Sequence, residues 1–287
     1  MKNVLQKKFL ILGAKGQLGK AFVDYLSAKA PVVAPPEEEA DITQHSRIQA
    51  LIEESKPDVV INCAAYNAVD EAQDHEDIAF KVNAQGVEHL AELSKTYGFF
   101  LVHYSSDYVF DGAKGLPYTE EDAPFPLNVY GKSKLEGEKC VLKISPHYLV
   151  FRLSWVIGPG KQNFLFKLTQ WAQKNHVLKV SSDEISVPTF TDTIVEVTLK
   201  SLEAGLSGLF HLTNSGMASR YELAKEFLKE IKMPNEVLPC SMPDFLTKAR
   251  RPKFSAMDNK KISSTLGIHI KPWKEALAEY VAHGYGC

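Results

Sequence analysis

The chain has 287 residues, 45% hydrophobic and 24% charged, which is enough for one large domain or for a large and a small lobe. Its formal net charge of −2 removes the electrostatic case for a nucleic-acid or anionic-membrane partner. No apolar run approaches the ~20 residues of a membrane span, and Cys63, Cys140, Cys240 and Cys287 are scattered without metal-site spacing, which reads as reduced thiols in a cytoplasmic protein with no metal site.

Taken in order, the N-terminus carries charge before a short apolar run that flows into a glycine loop, so it reads as a strand and not as a signal peptide. Strands are expected at Lys8 to Leu12, Val32 to Ala34, Asp58 to Asn62, Phe99 to Ser105 and Tyr148 to Arg152. Helices are expected between them, near Gln17 to Lys29, His45 to Ser55, Asp74 to Tyr97 and Val129 to Leu142. This alternation predicts an α/β fold, a doubly wound parallel (Rossmann) sheet with a smaller C-terminal substrate-binding lobe. Beyond about residue 155 the texture changes, with Gly158, Pro159, Gly160 and Pro188. Thr191 to Leu202 reads as a helix returning to the main sheet. The expected division is therefore 1–154 with 191–207 for the dinucleotide-binding domain, and 155–190 with 208–287 for the lobe.

Two motifs carry chemistry. Gly13-Ala14-Lys15-Gly16-Gln17-Leu18-Gly19 stands between an expected strand and an expected helix. In that context glycines allow a sharp turn close to a pyrophosphate, and the helix N-terminus supplies N–H groups for the anion. The spacing is GxxGxxG and not GxGxxG; a turn, a helix start and a helix-packing glycine without a ligand is the alternative. At the other end of the same domain, Tyr130 and Lys134 lie four apart, on one face of a helix. An ammonium beside a phenol lowers its pKa, so that it can exchange a proton with a carbonyl oxygen near neutral pH. Ser106 offers a hydroxyl to the same oxygen. In a doubly wound sheet ligands sit beyond the C-terminal strand ends, and Gly13, Asp41, Ala64, Ala65 and Ser106 all fall there. His103 reads as a packed histidine, and Arg250 and Arg251 as either a diphosphate clamp or a solvated pair, with Arg251 the favoured clamp.

GAKGQLG, DIT at 41–43, CAAYNAVD at 63–70, VNAQG at 82–86, SSDYVFDG at 105–112, PLNVYGKSKLEGE, FRLSW, NF at 163–164 and ARRPKFS at 249–255 together resemble the dTDP-4-dehydrorhamnose reductase family of extended short-chain dehydrogenase/reductases. The match runs from Phe9 to the C-terminal helix. The resemblance implies NADPH- or NADH-dependent reduction of the 4-keto group of a nucleotide-linked 6-deoxyhexose, giving dTDP-L-rhamnose for polysaccharide synthesis. It implies Tyr130 as general acid, Lys134 as its pKa partner and a ligand of the nicotinamide ribose, and Ser106 as orienter of the ketone. It places Gly13, Gly16, Gln17, Leu18, Gly19, Asp41, Ile42, Ala64, Ala65, Tyr66 and Asn83 at the coenzyme, with Tyr130 and Lys134; Asp41-Ile42 would contact adenine, with a helix N-cap at Asp41 or Thr43 as the alternative, and Asn83 would brace the site from the neighbouring helix. Val69, Asp107, Tyr108, Trp155 and Arg251 fall at the substrate, with a core aromatic as the alternative for Trp155.

The sequence also departs from the family pattern. Val33-Ala34-Pro35-Pro36 stands where an acidic residue often binds the adenosine ribose, and no arginine is near in sequence, although Lys15 is. The usual D-Q-x-G-x-P-T segment reads Asp183-Glu184-Ile185-Ser186-Val187-Pro188-Thr189, and Leu153 replaces a common threonine. The acidic cluster that holds Mg²⁺ at a dimer interface in some relatives has no counterpart, Ala21 standing for an early glutamate; a homodimer stays open. Three readings follow: the dTDP-rhamnose reductase, a reductase of another nucleotide 4-keto sugar, and a non-catalytic subunit similar to the methionine adenosyltransferase β subunit. The intact Ser106, Tyr130 and Lys134 favour catalysis.

Overall fold

The computed structural model describes residues 4–242 and 247–284. Its strands are β1 (Phe9–Leu12), β2 (Val32–Val33), β3 (Val59–Asn62), β4 (Phe100–Ser106), β5 (Tyr148–Leu153), β6 (Val156–Ile157), β7 (Val177–Ser181), β8 (Ile185–Ser186), β9 (Thr189–Phe190), β10 (Gly208–His211), β11 (Ala218–Ser219) and β12 (Glu236–Cys240). Helices are α1 (Gln17–Leu26), α2 (His45–Ser55), α3 (Glu76–Phe80), α4 (Gly86–Tyr97), α5 (Val129–Ile144), α6 (Phe164–Ala172), α7 (Thr191–Glu203), α8 (Arg220–Glu230), α9 (Lys260–Leu266) and α10 (Trp273–Ala282), with a π-turn, Lys81–Gln85, joining α3 to α4.

Six parallel strands form the main sheet in the order β10-β5-β4-β3-β1-β2. The inner strands are buried on both faces, which is why they read as continuous apolar runs. Their side chains alternate between two cores. Phe9, Ile11, Val59 and Ile61 pack under α1 and α7, and Leu10, Leu12 and Val60 pack under α2 and α4. Strand order reverses between β1 and β3, and the loops leaving these strands flank the crevice where such sheets hold ligands.

The expected division shifts in one respect. Residues 208–211 form β10, an edge strand of the main sheet beside β5, and Ile262 and Ile270 pack into the main-sheet core. The remaining lobe has its own core, in which Leu165, Leu168, Phe227, Trp273 and Leu277 meet beneath Trp155. Residues 243–246 and 285–287 of the expected lobe, Cys287 among them, lie outside the described residues. Among the described residues no helix is long and apolar enough to cross a membrane, and no group of three or more metal-ligating side chains occurs.

Candidate active site

The glycine loop divides its labour. Gly13 has φ +71°, and a Cβ there would lie 2.6 Å from the backbone nitrogen of Ala64. A Cβ at Gly19 would lie 2.2 Å from the carbonyl oxygen of Gly13. These two glycines therefore let the loop pack on itself and on the chain leaving β3. Gly16 caps α1 with ordinary extended angles, and no side chain caps the helix. Gly16, Gln17 and Leu18 line a cleft of about 340 Å³, so the positive end of α1 opens onto it.

Ala64 and Ala65 form the facing edge of the cleft. They are held from behind: Ala64 N–H donates to Asn62 Oδ1 at 3.1 Å, and the Asn83 carboxamide binds both the N–H and the C=O of Tyr66, at 2.9 and 3.0 Å. Asn83 sits in the π-turn, is buried, and also donates to Ser133 Oγ at 3.0 Å. Its polar atoms are consumed by protein, so it and Tyr66 brace the coenzyme edge and do not line it. Asp41 and Ile42 are held locally. Asp41 closes its own turn by accepting the Thr43 N–H at 2.9 Å, and Ile42 is buried against Gly86. The two-residue β2 ends at Val33, and a turn at residues 37–39 follows Pro35 and Pro36. Near that turn Lys15 pairs with Glu38 at 3.4 Å, while Arg47 of α2 donates to the Glu38 carbonyl. An arginine absent from the local sequence thus reaches the β2 end through the fold.

Tyr130 and Lys134 stand on the first turns of α5, whose cap Asn128 accepts from Gly131 N–H at 2.8 Å. Close approach requires glycine twice: a Cβ at Gly131 would lie 2.2 Å from Tyr108 O, and one at Gly137 would lie 2.0 Å from Asn83 O. Thus α5 is seated against the end of β4 and the π-turn, and Ser106, Tyr130 and Lys134 all line the cleft. The expected coupling of phenol and amine is not the one found. Lys134 Nζ donates to the Tyr104 carbonyl at 2.6 Å, and burial brings the ammonium down to about 8 against the opposing charge of Glu138 one turn on. Burial pushes the Tyr130 phenol up to about 12; a hydrogen bond with Ser106 opposes that rise and the charge of Asp107 adds to it. Helical spacing does place both side chains on one face, but the strand carbonyl claims the amine. Tyr130 is a neutral phenol near pH 7, and its hydroxyl donates to Asn67 Oδ1 at 3.4 Å.

On the far side, Val69, Asp107, Tyr108 and Trp155 line the cleft. The Tyr108 ring stands edge-on to Tyr130, with centroids 5.8 Å apart. Trp155 adopts φ +37°, a costly angle for a side-chain-bearing residue, and its buried indole N–H has no protein partner. Arg251 lines an adjoining cavity, where its guanidinium is paired with Asp70, Nη2 to Oδ2 at 2.8 Å. Arg220, at the start of α8, is the residue local reading misses. Its guanidinium stacks 3.6 Å from the Trp155 ring, faces Glu184 at 3.6 Å and lines both the cleft and the adjoining cavity. Asn67 and Gln162 also line the cleft. Asn67 lies inside the quoted CAAYNAVD segment; Arg220 and Gln162 carry no local signal. His103 is fully buried beside Asn62 at 3.2 Å, and burial pulls its pKa well below the ordinary value.

A doubly wound sheet with a helix N-terminus at its switch point and a Ser–Tyr–Lys group on the same cleft defines a Rossmann-type short-chain reductase site. Residues 7–285 match the family described as "RmlD substrate binding domain". The chain is 35% identical to the dTDP-4-dehydrorhamnose reductase of Sinorhizobium fredii over 96% of each chain. Among solved structures, a dTDP-4-dehydrorhamnose reductase ortholog from Clostridium acetobutylicum superposes with a TM-score of 0.93 at 37% identity, covering 96% of this chain and 99% of that one. The Bacillus anthracis enzyme of the same name, in complex with NADP, gives 0.94 at 32% identity over 97% and 99%. The chain belongs to the dTDP-4-dehydrorhamnose reductase family.

Proposed function

We propose that this protein is an NAD(P)H-dependent reductase of the 4-keto group of a nucleotide-linked 6-deoxyhexose, converting dTDP-4-dehydrorhamnose to dTDP-L-rhamnose for polysaccharide precursors in the cytoplasm. The observation that carries the reading is the meeting of Ser106, Tyr130 and the α1 N-terminus on one cleft. A dinucleotide fits the residues present. The space at Gly16 admits a close anion, α1 supplies its dipole, and Ala64 and Ala65 offer a small-residue edge with no side chain in the way. Lys134 lines the same cleft, and its ammonium has protons beyond the one given to Tyr104 with which to meet a ribose hydroxyl.

When bound, the reduced nicotinamide supplies a hydride to the ketone carbon. This chain handles the charge that grows on the oxygen. Tyr130, protonated at neutral pH, gives up its proton, and Ser106 contributes a hydrogen bond. Asp107, Tyr108 and Val69 bound the sugar, and Trp155 offers its unpartnered indole N–H. Arg220 and Arg251 lie on the route from the cleft into the adjoining cavity of about 470 Å³, a path suited to a diphosphate and its nucleoside.

The test is spectrophotometric consumption of NADH and of NADPH with dTDP-4-keto-6-deoxy-L-lyxo-hexose. Turnover with this substrate supports the reading. Turnover with only a non-dTDP donor moves the protein to another nucleotide sugar, and coenzyme binding without any oxidation moves it to a scaffold role.

A further inference from the structure

The carboxylate of Asp107 collects hydroxyls from three parts of the chain. Ser106 donates to Oδ1 at 3.2 Å, while Ser186 and Ser255 donate to Oδ2 at 2.9 and 2.5 Å. Asp107, Ser186 and Ser255 are all buried. Ser106 ends β4, Ser186 ends β8, and Ser255 follows a segment tied to β8 by the Ile185 N–H to Lys253 O bond at 2.8 Å and the Ser255 N–H to Ile185 O bond at 2.9 Å. One oxygen of the carboxylate therefore addresses the cleft serine, and the other addresses the C-terminal half of the chain. Ser186 occupies the position at which the family pattern carries glycine, so this chain has added a donor there.

A serine hydroxyl has one proton to give. In this structure the Ser106 proton goes to Asp107, and the Ser106 oxygen accepts the Tyr108 N–H at 3.1 Å and also meets the Tyr130 hydroxyl. A ketone oxygen can receive that proton only if Asp107 releases it. Buried carboxylates tolerate the loss of a donor poorly unless other donors remain. Ser186 and Ser255 are those donors, and both reach the same oxygen.

We infer that Asp107, held by Ser186 and Ser255, is a positioning residue that aims the Ser106 hydroxyl and frees it for the substrate. The inference rests on the reading of Ser106 as a donor to the ketone oxygen. Without Ser186 or Ser255, Asp107 keeps the Ser106 proton more firmly, and the ketone oxygen loses a donor as its charge develops.

The experiment is a double-mutant cycle on the full chain, read by steady-state kinetics with NAD(P)H and dTDP-4-keto-6-deoxy-L-lyxo-hexose. Ser186→Ala, and separately Ser255→Ala, should lower kcat by roughly five-fold, the scale of one net hydrogen bond, with KM for NAD(P)H unchanged. In a Ser106→Ala background the same substitutions should have no further effect on kcat. An equal fold-loss in both backgrounds would assign the two serines a packing role and overturn the coupling, as would wild-type kcat in both single variants. Ser106→Ala with undiminished turnover would instead remove the donor role of Ser106 itself, a separate failure. Should Ser186→Ala not fold, Ser255→Ala completes the cycle alone.

Discussion

One wall of the cleft is made of backbone and the other of side chains. The N-terminal wall presents Gly16, Ala64 and Ala65, with glycines behind them that admit no Cβ. The opposite wall presents Asp107, Trp155 and Arg220, held by contacts between segments far apart in sequence. A backbone wall suits a coenzyme shared by many enzymes, because N–H groups and a helix dipole recognise phosphate whatever the neighbouring side chains are. A side-chain wall suits a particular sugar, because each group reads one feature of it. Tyr130 and Lys134 stand between the two walls on α5, whose position is set by glycines on one side and by the end of β4 on the other.

The sharpest way to probe this division is to remove the group at its centre. Tyr130→Phe should cut kcat by about 10² or more, the usual scale for an acid catalyst, while leaving NAD(P)H affinity, measured by fluorescence titration, intact. On the side-chain wall, Arg220→Ala should raise KM for the nucleotide sugar roughly ten-fold or more, as expected for a lost hydrogen bond to a charged group, with the coenzyme Kd unchanged. If the coenzyme Kd moved instead, the assignment of the walls would be wrong.

Within the backbone wall the glycines separate. Gly13→Ala puts a side chain at φ +71° and into the Ala64 backbone, so Tm should fall by at least about 2 °C, since a left-handed angle alone costs ~1–2 kcal/mol. Gly16→Ala keeps ordinary angles but sets a Cβ 3.2 Å from the Gly13 carbonyl oxygen, so Tm should fall less than for Gly13→Ala while coenzyme affinity drops.

pH tests the seam between the walls. Burial raises the Asp107 carboxyl to about 6 against the three serine hydrogen bonds, with the charge of Glu184 adding to the rise. Above that value the carboxylate accepts three hydroxyls; below it the group takes a proton, and the arrangement around Ser106 changes. Turnover should therefore fall as pH drops through about 6. Stability moves the other way for this group. A raised carboxyl pKa means the folded state binds the proton more tightly, so its contribution to folding is present at acid pH and is lost as pH rises through about 6. Between pH 7 and 5, kcat should decline with no parallel loss of Tm from Asp107. The smallest expected effect lies at the Lys15–Glu38 pair. Glu38→Gln frees a cation on an exposed surface and should shift the NADPH-to-NADH kcat/KM ratio only a few-fold toward NADPH.

Much of the sheet was legible because a strand buried on both faces must be apolar, and the runs at β1, β3 and β4 are. The glycine loop was legible for a related reason: its demands are met within seven residues, between one strand and the helix that follows. The pairing of Tyr130 with Lys134 was legible as spacing but not as chemistry. Helical period put the two on one face, while the Tyr104 carbonyl, thirty residues away in sequence, took the ammonium. The bracing position of Asn83 was legible from its segment, but not its partners: the Tyr66 backbone that its carboxamide holds is 17 residues away in sequence.

Local order along the chain thus determined the sheet, the phosphate-suited turn and the family, because hydrophobic period and glycine placement act over a few residues. Which side of the cleft each group serves was decided by tertiary structure alone. Arg220 against Trp155, Arg251 on Asp70, and Ser186 and Ser255 on Asp107 all join segments that are distant in sequence. Contacts of that kind are set by how the elements pack in three dimensions, and no spacing within either segment encodes them.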